Sequence, residues 1–289
     1  MAHWLAGQEK SSRYKSSVEG LAKIVDSWSL NLFDANVFFP KKGYRDFCGM
    51  ILDASDYSEL SVEDARDGNR YTKDLIELSL TYPVMVTPGV LREVLTSKDN
   101  ISKKIKKLNW KLRRAKNHID RTSFENRQLI GREVSDYGNY LNELARILKH
   151  RRVKPDEFGI CESIIEGFCD AYRRGRVVIK GKLRAVRRRA PLKELETSES
   201  DVDARLVSYA VGHSISRRNP VKLVSNDAGD MVYFMNFFVS YYEEFFSKKL
   251  GRNFDVRSAL RKNPVRVFIF RPDEAAIEAY SSTRIGELR

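Results

Sequence analysis

Four short apolar runs, Trp28–Phe33, Pro83–Val86, Val221–Val224 and Val265–Phe270, constrain this chain more than any other feature. Runs of this length suit strands buried on both faces, and the stretches between them carry helical periodicity. Strands that alternate with helices assemble into a parallel α/β sheet. In the first run Trp28, Leu30 and Leu32 alternate and Phe33 is also apolar, which predicts a buried strand ending at Asp34. A helix over residues 16–26 precedes it, residues 44–80 are predicted to be mainly helical, and Thr87-Pro88 reads as a helix start, with Thr87 the N-cap and Pro88 the first helical residue. Further helices are expected over 101–116, 124–149, 156–173, 203–211 and 231–250, with a short strand or hairpin over 176–189 and Val265–Phe270 closing the sheet.

Composition narrows the chemistry. The three cysteines, Cys48, Cys161 and Cys169, form no CxxC pair and leave an odd count, which argues against a disulfide framework and a cysteine zinc site. Cys161 and Cys169 fall on the apolar face expected for the 156–173 helix, with Ile164, Ile165 and Phe168. His3, His118, His150 and His213 lack ligand spacing. No apolar run approaches a membrane span and the N-terminus has no apolar signal core, so a cytoplasmic protein without membrane contact is expected. The net charge of +13 is concentrated. Residues 98–194 hold 27 basic and 12 acidic side chains, a net of +15, while the rest of the chain holds 25 and 27, a net of −2.

The near-neutral flanks carry acids where strands end or helices begin: Asp34 after the first strand, Glu93 one and a half turns into the helix after Thr87, Asp201 and Asp203 at a helix start, and Asp227 and Asp230 after Leu223-Val-Ser-Asn. Each alone has an ordinary reading as a turn residue, a helix cap or a solvated side chain. Together they fall at the carboxyl ends of strands, the edge where parallel α/β sheets bind ligands. Carboxylates gathered there repel unless a cation bridges them, and hard oxygen donors suit Mg²⁺ or Mn²⁺.

The ordered set resembles the PIN-domain ribonuclease family. Leu30-Asn-Leu-Phe-Asp34 with Asn36 resembles its first motif and Thr87-Pro-Gly-Val-Leu-Arg-Glu93 its second. Asp203-Ala-Arg-Leu-Val-Ser-Tyr-Ala210 is similar to the third, and Leu223-Val-Ser-Asn-Asp227 to the fourth. The resemblance covers residues 25–96 and 197–272. It implies a three-layer α/β/α fold with a central parallel sheet and a metal-dependent phosphodiesterase acting on RNA, with Asp34, Glu93, Asp203 and Asp227 as catalytic metal ligands. Asp201 and Asp230 stand as additional ligands, and Asn36 and Ser225 as groups that orient water or phosphate. Asp203 is preferred to Asp201 because the apolar positions of its helix are phased to it.

The departure from the family is about one hundred residues between the second and third motifs, which argues against a small toxin-type nuclease. The expected organisation is a core in two parts, 1–96 and 197–289, around a basic, mainly helical insertion, 97–196. Lys103, Lys104, Lys107, Lys111, Arg113, Arg114, Arg173, Arg174, Arg187, Arg188 and Arg189 are candidates for contact with nucleic acid. Aromatic residues are sparse among them, so phosphate contact is expected ahead of base stacking. RNA is the expected partner ahead of DNA, and self-association is left open. Two other readings compete: a PIN-like RNA-binding protein without catalysis, and a structure-specific nuclease for flapped DNA.

Overall fold

The computed structural model describes residues 13–39, 46–153, 199–226, 231–232, 235, 239, 255–270 and 276–284, with backbone alone at 13–18, 199–201, 203–204 and 284. The helix and hairpin expected over 156–189 lie outside these residues. The order is α1 (Arg13–Ile24), β1 (Leu30–Phe33), α2 (Ala35–Phe38), α3 (Phe47–Asp53), a 3₁₀ turn (Tyr57–Glu59), α4 (Val62–Thr81), β2 (Val84–Met85), α5 (Pro88–Ala115) and α6 (Arg121–His150). After these come α7 (Glu199–Arg217), β3 (Val221–Ser225), α8 (Val256–Lys262), β4 (Val265–Ile269), β5 (Ile277–Ser281) and a second 3₁₀ turn (Ser282–Arg284). Of the 231–250 helix expected from the sequence, Met231, Val232, Met235 and Val239 are described and helical. Met231, Met235 and Val239, at i, i+4 and i+8, are buried.

The strands form one sheet of order β2-β1-β3-β4-β5, parallel except for β5, so the protein is α/β. Every residue of β1 is buried, as a strand covered on both faces requires. The strand begins at Leu30, and Trp28 stays outside it at 86% exposed. The turn before β1 accounts for this. Asp26 accepts hydrogen bonds from the amides of Trp28 and Ser29, and that closed turn leaves no ladder for Trp28 to join. The sheet also continues past Phe270, where β5 adds antiparallel to β4.

Local chemistry sets where the helices start. Ser61 accepts from the Asp64 amide and donates to its carboxylate, a reciprocal cap for α4. Thr87 Oγ1 accepts from Val90 N at 3.4 Å ahead of Pro88, and Asp120 Oδ1 accepts from Ser123 N at 2.9 Å. With no proline or glycine from Val90 to Ala115, α5 runs 28 residues and crosses position 97 without interruption. Its buried residues Ile101, Ile105 and Leu108 join one hydrophobic core with the strands, α4 and α6. Tyr57 is wedged beside this pair, with its hydroxyl donating to Asn109 at 2.8 Å. A Cβ on Gly131 of α6 would stand 3.1 Å from the Tyr57 ring, so the small residue permits the approach. Residues 151–153 then return to the sheet edge, where Val86 and Arg152 form a parallel bridge.

α4 carries an acid at an unfavourable place. Burial, reinforced by the Glu77 charge and opposed by Arg70 and Lys73, pushes the Asp74 carboxyl up to about 6. A carboxyl raised on folding destabilises the fold as pH climbs past its unfolded value of about 3.9, and the full effect is present above the folded one. Asp74→Asn is therefore expected to increase the urea unfolding free energy at pH 7.5 by on the order of 1 to 3 kcal/mol, with the gain vanishing near pH 4. A gain of equal size at both pH values would contradict this account.

Candidate active site

β1 and β3 run side by side in register, with Phe33 opposite Val224, so their carboxyl ends finish level. The chain leaves β1 for β2 on one side and then crosses back over β1 to reach β3 on the other. A strand order that reverses in this way opens a crevice beyond the carboxyl ends, the usual ligand position of such sheets. Asp34 and Ser225 stand at that point.

Asp34 is the first residue after β1. Its amide donates to Val224 O at 3.0 Å, which prolongs the parallel ladder by one bond. Its side chain caps α2, with Oδ1 accepting from Ala35 N at 2.6 Å. Oδ2 accepts from Ser225 Oγ at 2.8 Å. The carboxylate is only 5% exposed and Ser225 is fully buried. A buried carboxylate requires such donors, because burying the charge without them costs several kcal/mol.

Asn36, in the first turn of α2, completes the arrangement. Its Oδ1 accepts from the Asn226 amide at 2.8 Å, and its Nδ2 lies 3.1 Å from Ser225 Oγ. The Asn226 bond fixes which end of the amide is oxygen, so Nδ2 donates to Ser225 and the Ser225 hydroxyl points its proton at Asp34. One directed series thus runs from Asn226 through Asn36 and Ser225 to Asp34. The sequence places Asn36 and Ser225 as groups for water or phosphate, and here both side chains bond the Asp34 network. The Asn226 amide was not among the residues singled out from the sequence; its position one residue after Ser225 is the signal that could have found it.

Glu93 is half-buried on α5, four residues beyond Gly89 and so on the same helical face. A Cβ on Gly89 would stand 3.3 Å from both methyl groups of Val202, which places the first turn of α5 against the first turn of α7. Val202 lies between Asp201 and Asp203 in α7, whose side chains are outside the description. Asp227 and Asp230 follow β3 and also lie outside the described residues. The structure thus joins Asp34, Asn36 and Ser225 directly, and brings the helix bearing Glu93 up to the helix bearing Asp203. Among the described residues no set of three or more His, Cys, Asp or Glu side chains could hold a metal ion, and of the six proposed ligands only Asp34 and Glu93 have described side chains.

The basic candidates divide along α5. Lys104 Nζ donates to Leu52 O at 2.5 Å and Lys111 Nζ to Ser55 O at 2.9 Å. Both satisfy carbonyls at and just past the end of α3, where a cation also meets the negative end of the helix. Lys103, Lys107, Arg113 and Arg114 are exposed. Arg173, Arg174, Arg187, Arg188 and Arg189 lie outside the described residues. Comparison with protein-family models, with curated proteins and with solved structures found no match to this chain.

Removing the Ser225 hydroxyl takes a donor from a buried charge. Ser225→Ala is expected to lower the unfolding free energy by about 1.5 to 3 kcal/mol in urea denaturation, and Ser225→Thr, which keeps the hydroxyl, by less. Equal losses in the two variants would show that the hydroxyl does not hold Asp34.

Proposed function

We propose that this protein is a divalent-metal-dependent endoribonuclease of the PIN type, with a three-layer α/β/α core and a basic helical segment between its second and third motifs. The observation that carries the reading is the buried Asp34 carboxylate, held by Ala35 and Ser225 at the point where the strand order reverses. Fixing a buried carboxylate is costly for stability and is characteristic of sites where geometry must be preset. The order of the four acidic motifs supports the same reading, as does the meeting of α5 with α7.

Asp34, Glu93, Asp203 and Asp227 would hold Mg²⁺ or Mn²⁺, with Asp201 and Asp230 as further oxygen donors. The donor set fits such an ion in kind: carboxylate oxygens are hard ligands, and the bonds from Ala35 and Ser225 orient Asp34. A bound ion of this type supplies Lewis-acid activation of water and offsets charge developing on the phosphate. Ser225 and Asn36 keep the Asp34 carboxylate aimed, and burial beside Phe33 and Val224 keeps bulk water from it. The exposed cations of α5 attract the polyanion to an otherwise acidic edge.

Purified protein with Mn²⁺ or Mg²⁺ is expected to cleave single-stranded or structured RNA, with activity abolished by EDTA. Asp34→Asn and Glu93→Gln should each reduce the rate on the order of 10²-fold or more, with the fold retained by circular dichroism. Mn²⁺ should raise the melting temperature of the wild type and not of Asp34→Asn. RNA left intact under all these conditions would overturn the reading. Chelator-insensitive binding without cleavage would identify a non-catalytic RNA-binding protein, and preference for flapped DNA a structure-specific DNA nuclease.

The division of lysines gives a separate expectation. Lys103→Gln with Lys107→Gln should weaken RNA binding and flatten its salt dependence, whereas Lys104→Gln with Lys111→Gln should mainly lower stability, by roughly 0.5 to 1 kcal/mol each. Titrations at two salt concentrations check this, and a reversed pattern would refute it.

A further inference from the structure

Trp110 is 55% exposed on α5, and its four nearest neighbours along the helix surface, at i−4, i−3, i+3 and i+4, are Lys106, Lys107, Arg113 and Arg114. All four are exposed cations. Lys103, Lys107, Trp110 and Arg114, spaced four, three and four residues apart, form one stripe along the helix. The Arg114 guanidinium carbon lies 4.5 Å from the Trp110 ring centroid, a cation–π contact that steadies the indole before any ligand arrives. The two lysines that would blur this stripe, Lys104 and Lys111, are drawn to the other side by Leu52 O and Ser55 O.

A half-exposed indole offers a flat face for stacking, and five flanking cations attract negative charge. A ligand that complements both features has a flat π face and negative charge at short intervals, which is an unpaired nucleotide within a strand. We infer that Trp110 is a stacking platform for a single-stranded segment of nucleic acid, whose flanking phosphates are held by Lys103, Lys106, Lys107, Arg113 and Arg114. Duplex ends aside, a paired base offers no free face, so this surface selects unpaired strands. The inference rests on the nucleic-acid reading above but not on its catalytic part. Trp110 lies seventeen residues beyond Glu93 on the same helix, about 25 Å along its axis, so the platform grips the strand well away from the proposed acids.

The test uses the full chain in EDTA, which removes catalysis from the readout. Anisotropy of a labelled oligouridine of about twelve nucleotides, and of an RNA duplex of similar length, is measured with wild type, Trp110→Ala and Trp110→Phe. Trp110→Ala is expected to weaken single-strand binding roughly 5- to 100-fold and to change duplex binding by less than about twofold, while Trp110→Phe keeps most of the affinity. Unchanged single-strand binding in Trp110→Ala, or equal weakening on both substrates, overturns the stacking platform and leaves the RNA reading standing. Wild type that binds neither nucleic acid removes both. Trp110-dependent binding to vesicles of phosphatidylcholine and phosphatidylserine that exceeds binding to the oligouridine overturns it in favour of a lipid surface.

Discussion

The pairing of β1 with β3 is the interaction on which the rest of the molecule depends. It joins segments in which Asp34 and Ser225 are 191 residues apart, in a parallel ladder that runs from Leu30 opposite Val221 to Phe33 opposite Val224. A slip of one residue would turn buried side chains to the opposite face and separate Asp34 from Ser225. The register is held at both ends. At one end Leu30 donates to Pro220 O, and Lys222 reaches across to Asp26 and to the last carbonyl of α1. At the other, Asp34 donates to Val224 O and receives the Ser225 hydroxyl. Although burial raises it, the Asp26 carboxyl is held below its ordinary value by Lys222 and by the Ser29 amide and hydroxyl, so that lock stays charged at neutral pH.

α5 links the sheet edge to the basic surface. Its N-cap Thr87 comes two residues after the end of β2, its second turn carries Glu93, and its later turns carry the cationic stripe. One face is apolar and buried, one is tied by lysines to the end of α3, and one is open. The positive charge of this segment is therefore not a single function: some of it completes backbone hydrogen bonding and some of it faces solvent. Net charge alone cannot separate the two, because both uses require the same side chain.

Much of the scaffold was legible in the residues. Continuous apolar runs located β1, β3 and β4, and Thr87-Pro88 marked the start of α5, because these signals act within a few residues of one another. What escaped depends on distant partners. Trp28 matches strand alternation, but the Asp26 turn excludes it. The first three residues of β5 are exposed, Ile277 among them, and only Tyr280 and Ser281 are buried, so it lacks the apolar run of a buried strand and pairs along the free edge of β4. Asp34 was legible as a strand-end acid. Its connection through Ser225 and Asn36 to the Asn226 amide arises from the register between two strands, which no local pattern encodes.

The strand order also has a consequence for synthesis on the ribosome. β1 and β2 emerge with α4, α5 and α6 long before β3, and β1 lies between β2 and β3 in the sheet. Through the making of more than one hundred residues, roughly 7 to 27 seconds at about 5 to 20 residues per second, the nascent chain presents an apolar strand with one edge unpaired. An open edge of that kind recruits other strands. In the finished sheet β3 covers that edge along the whole of β1, from Leu30 opposite Val221 to Phe33 opposite Val224, so the last-made half of the core closes the exposure that the first-made half creates.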